Sequence, residues 1–261
     1  VFLAFGLTWA TFGSWFVNRY TVEEHFTLAS IFAAVFFGVF YVSALIHRLL
    51  KEDLSMIENS GLVLTNSFLF YGVGYRVLNS DESTAGFLGL FTAAHSALHL
   101  AVAVMVSRIR ASAVDVVQVL TVLVLTFASI AIPVQLDGNQ VTMAWSVEAA
   151  VLFWFGRARD VRLFELYSYP VMLLATGSMF FDWGAAYFNR TDFTSDFNLQ
   201  PFANGNFVTA LVYIAAFAAI FAISRDKDSE ARIESSFARP FGYLIVGLAL
   251  LVLYNAFRLE I

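Results

Sequence analysis

The sequence of 261 residues contains no cysteine. This excludes disulfides, thiolate catalysis and cysteine-ligated metal sites. Charged residues are also scarce, at 13% of the chain, where a soluble domain carries roughly 25%. Since 59% of the residues are apolar, the composition indicates a protein whose solvent is largely lipid.

Several motifs that would name a reaction are absent as well. The chain has no phosphate-binding glycine loop, no GxSxG nucleophile turn, no paired mid-run aspartates and no arginine-rich voltage-sensing helix. The net charge of −5 provides no basic surface for nucleic acid. The sequence therefore leaves open whether the protein is an enzyme.

Nine apolar runs are present instead, each of roughly 16–25 residues and long enough to cross a bilayer as a helix. They are Phe2–Val17, Phe26–Arg48, Gly61–Leu78, Ala85–Ser107, Val114–Val134, Val141–Gly156, Leu163–Phe181, Phe207–Ser224 and Phe241–Phe257. The gaps between most of them are short, which makes sequential helices antiparallel neighbours. We predict an all-α fold, a polytopic transmembrane bundle of about nine helices.

The basic residues predict the orientation of this bundle. Of the 15 lysines and arginines, 11 lie in the gaps that follow the second, fourth, sixth and eighth runs: Arg48, Lys51, Arg108, Arg110, Arg157, Arg159, Arg162, Arg225, Lys227, Arg232 and Arg239. Lysine and arginine concentrate on the cytoplasmic side of membrane proteins. The N-terminus is therefore predicted to be cytoplasmic and the C-terminus outside.

Single cysteine substitutions test this topology cleanly, because the chain has no cysteine of its own. We expect an impermeant thiol reagent applied from the periplasm to label Ser195→Cys and to leave Ser229→Cys unlabelled. The reverse labelling pattern would invert the predicted orientation.

Two longer gaps stand out. Asp182–Asn206 combines aromatic residues with Asp, Asn and Thr, which is typical of the headgroup layer. We expect it outside, either as an ordinary interfacial loop or as a lid over the bundle. Arg225–Arg239 is highly charged and is expected to be a cytoplasmic loop. Residues 1–261 are predicted to form a single transmembrane domain, a portion of a longer polypeptide.

Glu148 is the clearest candidate for intramembrane chemistry. It lies about seven residues into the sixth run, with Trp145 three residues earlier on the same helix face. An ionisable residue at this depth is costly and is a functional candidate by default. Either it serves transport, proton relay or catalysis, or it is a buried carboxyl that holds helices together through hydrogen bonds.

His95 and His99 form a second candidate in the middle of the fourth run. Their i, i+4 spacing places both rings on one helix face, as a helical metal pair requires. Ser96 stands where a metalloprotease motif has its glutamate, so we predict no metal and no other cofactor. The alternative is a metal held by His95, His99 and Glu148.

Polar residues at the outer ends of the runs define a third candidate, an outer vestibule. It consists of Arg76, Gln135, Asp137, Asp182 and Arg190. These side chains are expected at one membrane level, where they either line a path down to the histidines and Glu148 or are simply solvated loop ends.

The segment Ile130–Arg157 resembles a large bacterial family of predicted multi-pass membrane proteins that is catalogued as a domain of unknown function. The matching pattern is Ile-Pro, then Gln-Leu-Asp-Gly, then Ala-Trp-x-x-Glu and finally an arginine directly after the sixth apolar run. Its positions here are Pro133, Gln135, Asp137, Gly138, Trp145, Glu148 and Arg157. The resemblance implies a bacterial inner-membrane location and supplies no catalytic residue.

Three functions from different classes remain. The first is a transport or transport-accessory role in the bacterial envelope, for which the intramembrane polar residues would form the path. The second is a membrane enzyme that acts on a lipid-linked or periplasmic substrate, with Glu148 or His95 as the base. The third is a structural subunit of an envelope complex. The expected partners are the lipid bilayer and either other envelope proteins or further copies of the chain.

Overall fold

The computed structural model describes residues 2–50, 56–110, 112–184, 202, 204–225 and 235–258, and its secondary structure there is entirely helical. The helices are α1 Phe2–Arg19, α2 Val22–Leu50, α3 Met56–Asn79, α4 Glu82–Ala85, α5 Leu88–Ile109, α6 Val114–Gln135, α7 Asn139–Ala158, α8 Arg162–Trp183, α9 Gly205–Ser224 and α10 Ser235–Arg258. The all-α prediction is confirmed.

Each predicted apolar run lies largely within one long helix, and most helices extend past the run by a few polar residues. The exception is the fourth run, whose predicted start at Ala85 is wrong. A short helix, α4, ends at Ala85, and α5 begins only at Leu88 after Gly86 and Phe87. The hydropathy of the run could not reveal this break, because Ala85, Gly86 and Phe87 at the break are all small or apolar.

Five segments have the length and hydropathy of membrane spans in the described part of the chain. They are Val22–His47, Leu88–Ile109, Val114–Gln135, Gly205–Ser224 and Pro240–Arg258. The count of nine crossings and the sides of the two chain ends stay predictions. So do the outer loop and the charged loop, because residues 185–201 and 226–234 lie outside the described residues.

The described chain divides into two compact units, Val1–Gln135 and Leu136–Ile261. In the first unit, α5 packs along α6 and α2 packs along α3, around a core rich in aromatic rings. In the second, α7 packs against both α8 and α9, and α10 packs on α9. Many outward-facing side chains in both units are apolar; Leu173 and Phe181, for example, are 71% and 76% exposed. Such faces are suited to contact with lipid.

The turn between α3 and α5 is fixed by a local cap. Asp81 precedes α4, and its carboxylate accepts hydrogen bonds from the Ser83 backbone N–H at 2.9 Å and the Ser83 hydroxyl at 2.8 Å. These two bonds favour the charged form and lower the pKa of the Asp81 carboxyl. The cap holds the short helix that leads into α5, which contains both central histidines.

Candidate intramembrane polar site

His95 and His99 lie together in the interior of the first unit. The exposed fractions of these residues are 3% and 0%. Their Nε2 atoms face each other at 3.3 Å, which is hydrogen-bonding distance. Both lie in α5, one of the five candidate spans, and His99 is about 15 Å from either end of that helix at 1.5 Å per residue. The sequence prediction that both rings share one face agrees with this arrangement.

Tyr41 of α2 extends this pair into a line of three hydrogen-bonded groups. Its hydroxyl oxygen is 2.7 Å from His99 Nδ1, and the residue is 4% exposed. His95, at the other end, has a hydrogen bond with the backbone of Ser67 in α3. Each of the buried polar side chains in this line therefore has a partner, as burial in a membrane requires.

Aromatic rings enclose the line. The His95 ring centroid lies 4.4 Å from that of Phe127, 5.4 Å from Phe70 and 5.5 Å from Phe37. The rings come from α6, α3 and α2, so three different helices supply a ring beside His95. The rings closest to His95 are therefore apolar, and the polar contacts of the two histidines run along the line.

Asn66 joins three helices beside this site. Its amide donates to the Phe37 carbonyl oxygen at 2.9 Å, and its Oδ1 accepts from the Trp9 indole N–H at 3.1 Å. The residue is fully buried. Since Trp9 belongs to α1 and Phe37 to α2, the single amide of Asn66 in α3 fixes how the first three helices approach each other.

The second unit contains a buried ion pair between α7 and α8. Arg157 Nη2 donates to Glu165 Oε1 at 2.8 Å, and Arg157 Nε lies 2.7 Å from Glu165 Oε2. The Tyr169 hydroxyl donates to the same carboxylate at 3.0 Å. The guanidinium also lies over the Phe153 ring, 5.2 Å from its centroid. Arg157, which the sequence pattern assigned to a charged gap, is only 8% exposed.

Asp182 forms a second polar contact at the other end of this helix pair. The Thr142 hydroxyl of α7 donates to Asp182 Oδ2 at 2.7 Å, and it lies 2.6 Å from the Ser178 hydroxyl of α8. Asp182 was expected to line an outer vestibule, but the residue is buried, with 8% exposed. Its carboxylate ties α7 to α8.

The remaining predicted residues are distributed over both units. Glu148 and Trp145 are half-buried in α7, and each takes part in at least one interaction. Because the histidines belong to the first unit and Glu148 to the second, contact within the predicted trio stays a prediction. Asp137 is exposed at the start of the second unit.

The vestibule prediction is equally untested. Arg76 and Gln135 are exposed at the ends of α3 and α6, and the Gln135 side chain lies against Gly89 of α5. Arg190 lies outside the described residues.

Three residues of these networks were not predicted from the sequence: Tyr41, Asn66 and Glu165. Each is a polar residue inside an apolar run, and this feature of the sequence could have identified it as a candidate. Their partners are 58, 57 and 8 positions away for Tyr41–His99, Trp9–Asn66 and Arg157–Glu165. Only the last of these separations is short enough to suggest a pair across the connection between two successive helices.

The family model described as "Predicted membrane protein (DUF2339)" matches residues 1–260. The chain belongs to the DUF2339 family. The family membership inferred from the Ile130–Arg157 segment is thus confirmed, and the match covers both units of the fold. No match is found among curated proteins or solved structures. The DUF2339 chain is accordingly a predicted membrane protein of unknown function.

Proposed function

We propose that the protein acts in transport, or as an accessory to a transporter, in the inner membrane of the bacterial envelope. The observation that supports this best is the Tyr41–His99–His95 line, whose residues lie in two of the candidate membrane spans. Ionisable groups at this depth are expensive and typically mark ion or proton pathways. Two adjacent histidines place titratable groups in an otherwise apolar helix.

In a purely structural role, the same hydrogen bonds would serve only to hold the helices together. Bonds of this kind contribute only about 0.6 kcal/mol each in membrane proteins. The rings of Phe127, Phe70 and Phe37 offer His95 an apolar surface and no hydrogen-bond partner. The presence of titratable rings in this cage is therefore better explained by use of their protons than by adhesion.

The membrane-enzyme alternative receives no comparable support. Within the described residues, no three His, Asp or Glu side chains are grouped so that they could hold a metal ion. The buried carboxylates of Glu165 and Asp182 are occupied by Arg157 and Thr142. These contacts stabilise helix packing, and they engage both carboxylates.

Substitutions that remove titration but keep polar side chains test the transport proposal. We expect His95→Asn combined with His99→Asn, and separately Glu148→Gln, to abolish complementation of an envelope-sensitivity phenotype in a strain that lacks the native protein. The reason is that amides hydrogen-bond but do not exchange protons near neutral pH. Survival under envelope stress, plated against wild type, is the measurement.

His25→Gln is the matched control for this experiment. His25 lies at the start of α2, where its Nδ1 bonds to the Thr21 hydroxyl at 2.9 Å, away from the buried line. It should complement fully, at unchanged protein level. Full complementation by the double asparagine variant and by Glu148→Gln would reject the transport proposal in favour of a scaffold.

A further inference from the structure

The hydrogen bonds of the Tyr41–His99–His95 line have a direction. Two Nε2 atoms that face each other at 3.3 Å hold a single hydrogen between them when both rings are neutral, because two lone pairs would repel and two hydrogens would clash. One histidine therefore donates and the other accepts.

The two ends of the line decide which histidine donates. The Ser67 N–H lies inside α3, so the Ser67 group left for His95 is its carbonyl oxygen, which only accepts. His95 then carries its hydrogen on Nδ1 and presents a lone pair at Nε2. Consequently His99 carries its hydrogen on Nε2, and its Nδ1 accepts from the Tyr41 hydroxyl at 2.7 Å.

The surroundings of the two rings are unequal. His95 has the rings of Phe127, Phe70 and Phe37 within 5.5 Å of its own centroid. Among the described residues, the ring neighbours of His99 are Phe127 at 5.7 Å and Tyr41 at 5.4 Å, besides His95 itself. Aromatic rings within about 6 Å stabilise a cation that lies over their faces. A positive charge on the pair is therefore stabilised better at His95, which also has the Ser67 carbonyl.

We propose that the His95–His99 pair binds one proton as the coupling ion and holds it on His95. This rests on the proposed transport function. A hydronium ion at Tyr41 gives a proton to the hydroxyl oxygen and remains as water, while the hydroxyl proton of Tyr41 passes to His99 Nδ1. The Nε2–H bond of His99 then breaks and its proton bonds to His95 Nε2. One proton is taken up, His95 becomes an imidazolium, and no electron moves.

The groups that face the pair are compatible with a single mobile charge. From α2 the titratable neighbour is Tyr41, and from α3 it is Tyr71, whose hydroxyl bonds to Thr92 at 3.1 Å. Helix α6 presents Phe127. Among the described residues of the first unit, the structure shows no charged side chain in contact with either ring. The extra proton would thus be the only net charge among the described side chains that contact the two histidine rings.

Nitrogen-15 NMR of histidine-labelled protein in lipid nanodiscs tests this assignment, with signals assigned by His→Asn variants. At neutral pH we expect His99 to carry its hydrogen on Nε2 and His95 on Nδ1, each in roughly tenfold excess over the other tautomer, the factor that corresponds to one net hydrogen bond. On acidification, one proton per pair should appear on His95, while His99 stays neutral.

Tyr41→Phe should move the His99 Nδ1 signal to the position of an imidazole nitrogen without a donor. Tyr213→Phe is the matched control, because Tyr213 is a fully buried tyrosine of the second unit whose hydroxyl bonds to Thr176 at 2.8 Å. It should leave the spectrum of both histidines unchanged.

Protonation of His99 before His95, reversed tautomers, or a pair that stays neutral until the protein unfolds would each overturn the proton assignment. So would one Zn²⁺ bound per chain that His99→Asn abolishes, since the pair would then be a metal site. These results are independent of the transport test. An envelope defect with a non-protonating pair would leave transport standing, whereas normal complementation with the expected spectra would reject transport and keep the proton site.

Discussion

Glu165→Ala is expected to lower the free energy of unfolding by about 3–5 kcal/mol, the usual cost of removing one partner from a buried ion pair. The substitution leaves the Arg157 guanidinium, in a residue only 8% exposed, without its carboxylate. It also removes the acceptor of the Tyr169 hydroxyl. Denaturation of the protein in mixed micelles, followed by tryptophan fluorescence, measures the loss.

Two variants separate this effect from charge removal in general. Arg159→Ala removes an exposed arginine two residues away and should change stability by no more than about 0.5 kcal/mol. Arg157→Met combined with Glu165→Leu removes both charges and should regain most of the loss, because apolar replacement of a whole buried pair is often neutral. A loss below about 1 kcal/mol in Glu165→Ala would contradict the buried ion pair.

Gly156→Ala is the second substitution with a large expected effect. A Cβ at Gly156 of α7 would lie 2.6 Å from the Glu165 backbone nitrogen and 3.0 Å from the Glu165 Cβ. Real Cβ atoms do not approach backbone so closely, so α7 and α8 would have to separate. We expect a loss of about 1–3 kcal/mol, and more if the ion pair at Glu165 opens as well.

Gly177→Ala in α8 provides the control with the opposite sign. A Cβ there meets no atom within 4 Å, and alanine is a better helix former than glycine by about 1 kcal/mol. The same micelle denaturation should therefore show Gly177→Ala equal to or more stable than wild type. If both glycine variants shift in the same direction, the close approach of α7 and α8 at Gly156 is wrong.

Only part of the Tyr41–His99–His95 line could be predicted from the sequence. The i, i+4 spacing placed both histidines on one helix face, because that geometry depends only on the helical repeat. It could not supply Tyr41, which is 58 positions from His99. A contact between separate helices depends on their rotation and depth, and no local pattern encodes either.

For Arg157, the position between two apolar runs was recognised from the sequence, but its burial was not. Its place between two apolar runs made it part of the cytoplasmic basic count. In the structure it is buried against Glu165, because α7 and α8 pack closely enough at Gly156 for the guanidinium to turn inward. Its role in packing follows from that approach and not from its position along the chain.

Length and hydropathy alone determined that this protein is helical and belongs in a membrane, because a backbone in lipid must satisfy its own hydrogen bonds within each segment. The residue pattern of one segment, Ile130–Arg157, was also sufficient to place the protein in its family. Only the tertiary structure decided which polar side chains meet: Tyr41 with His99, Asn66 with Trp9 and Glu165 with Arg157. Side-chain hydrogen bonds and ion pairs act over about 3 Å, so their partners are set by how helices pack and not by the order of residues along them.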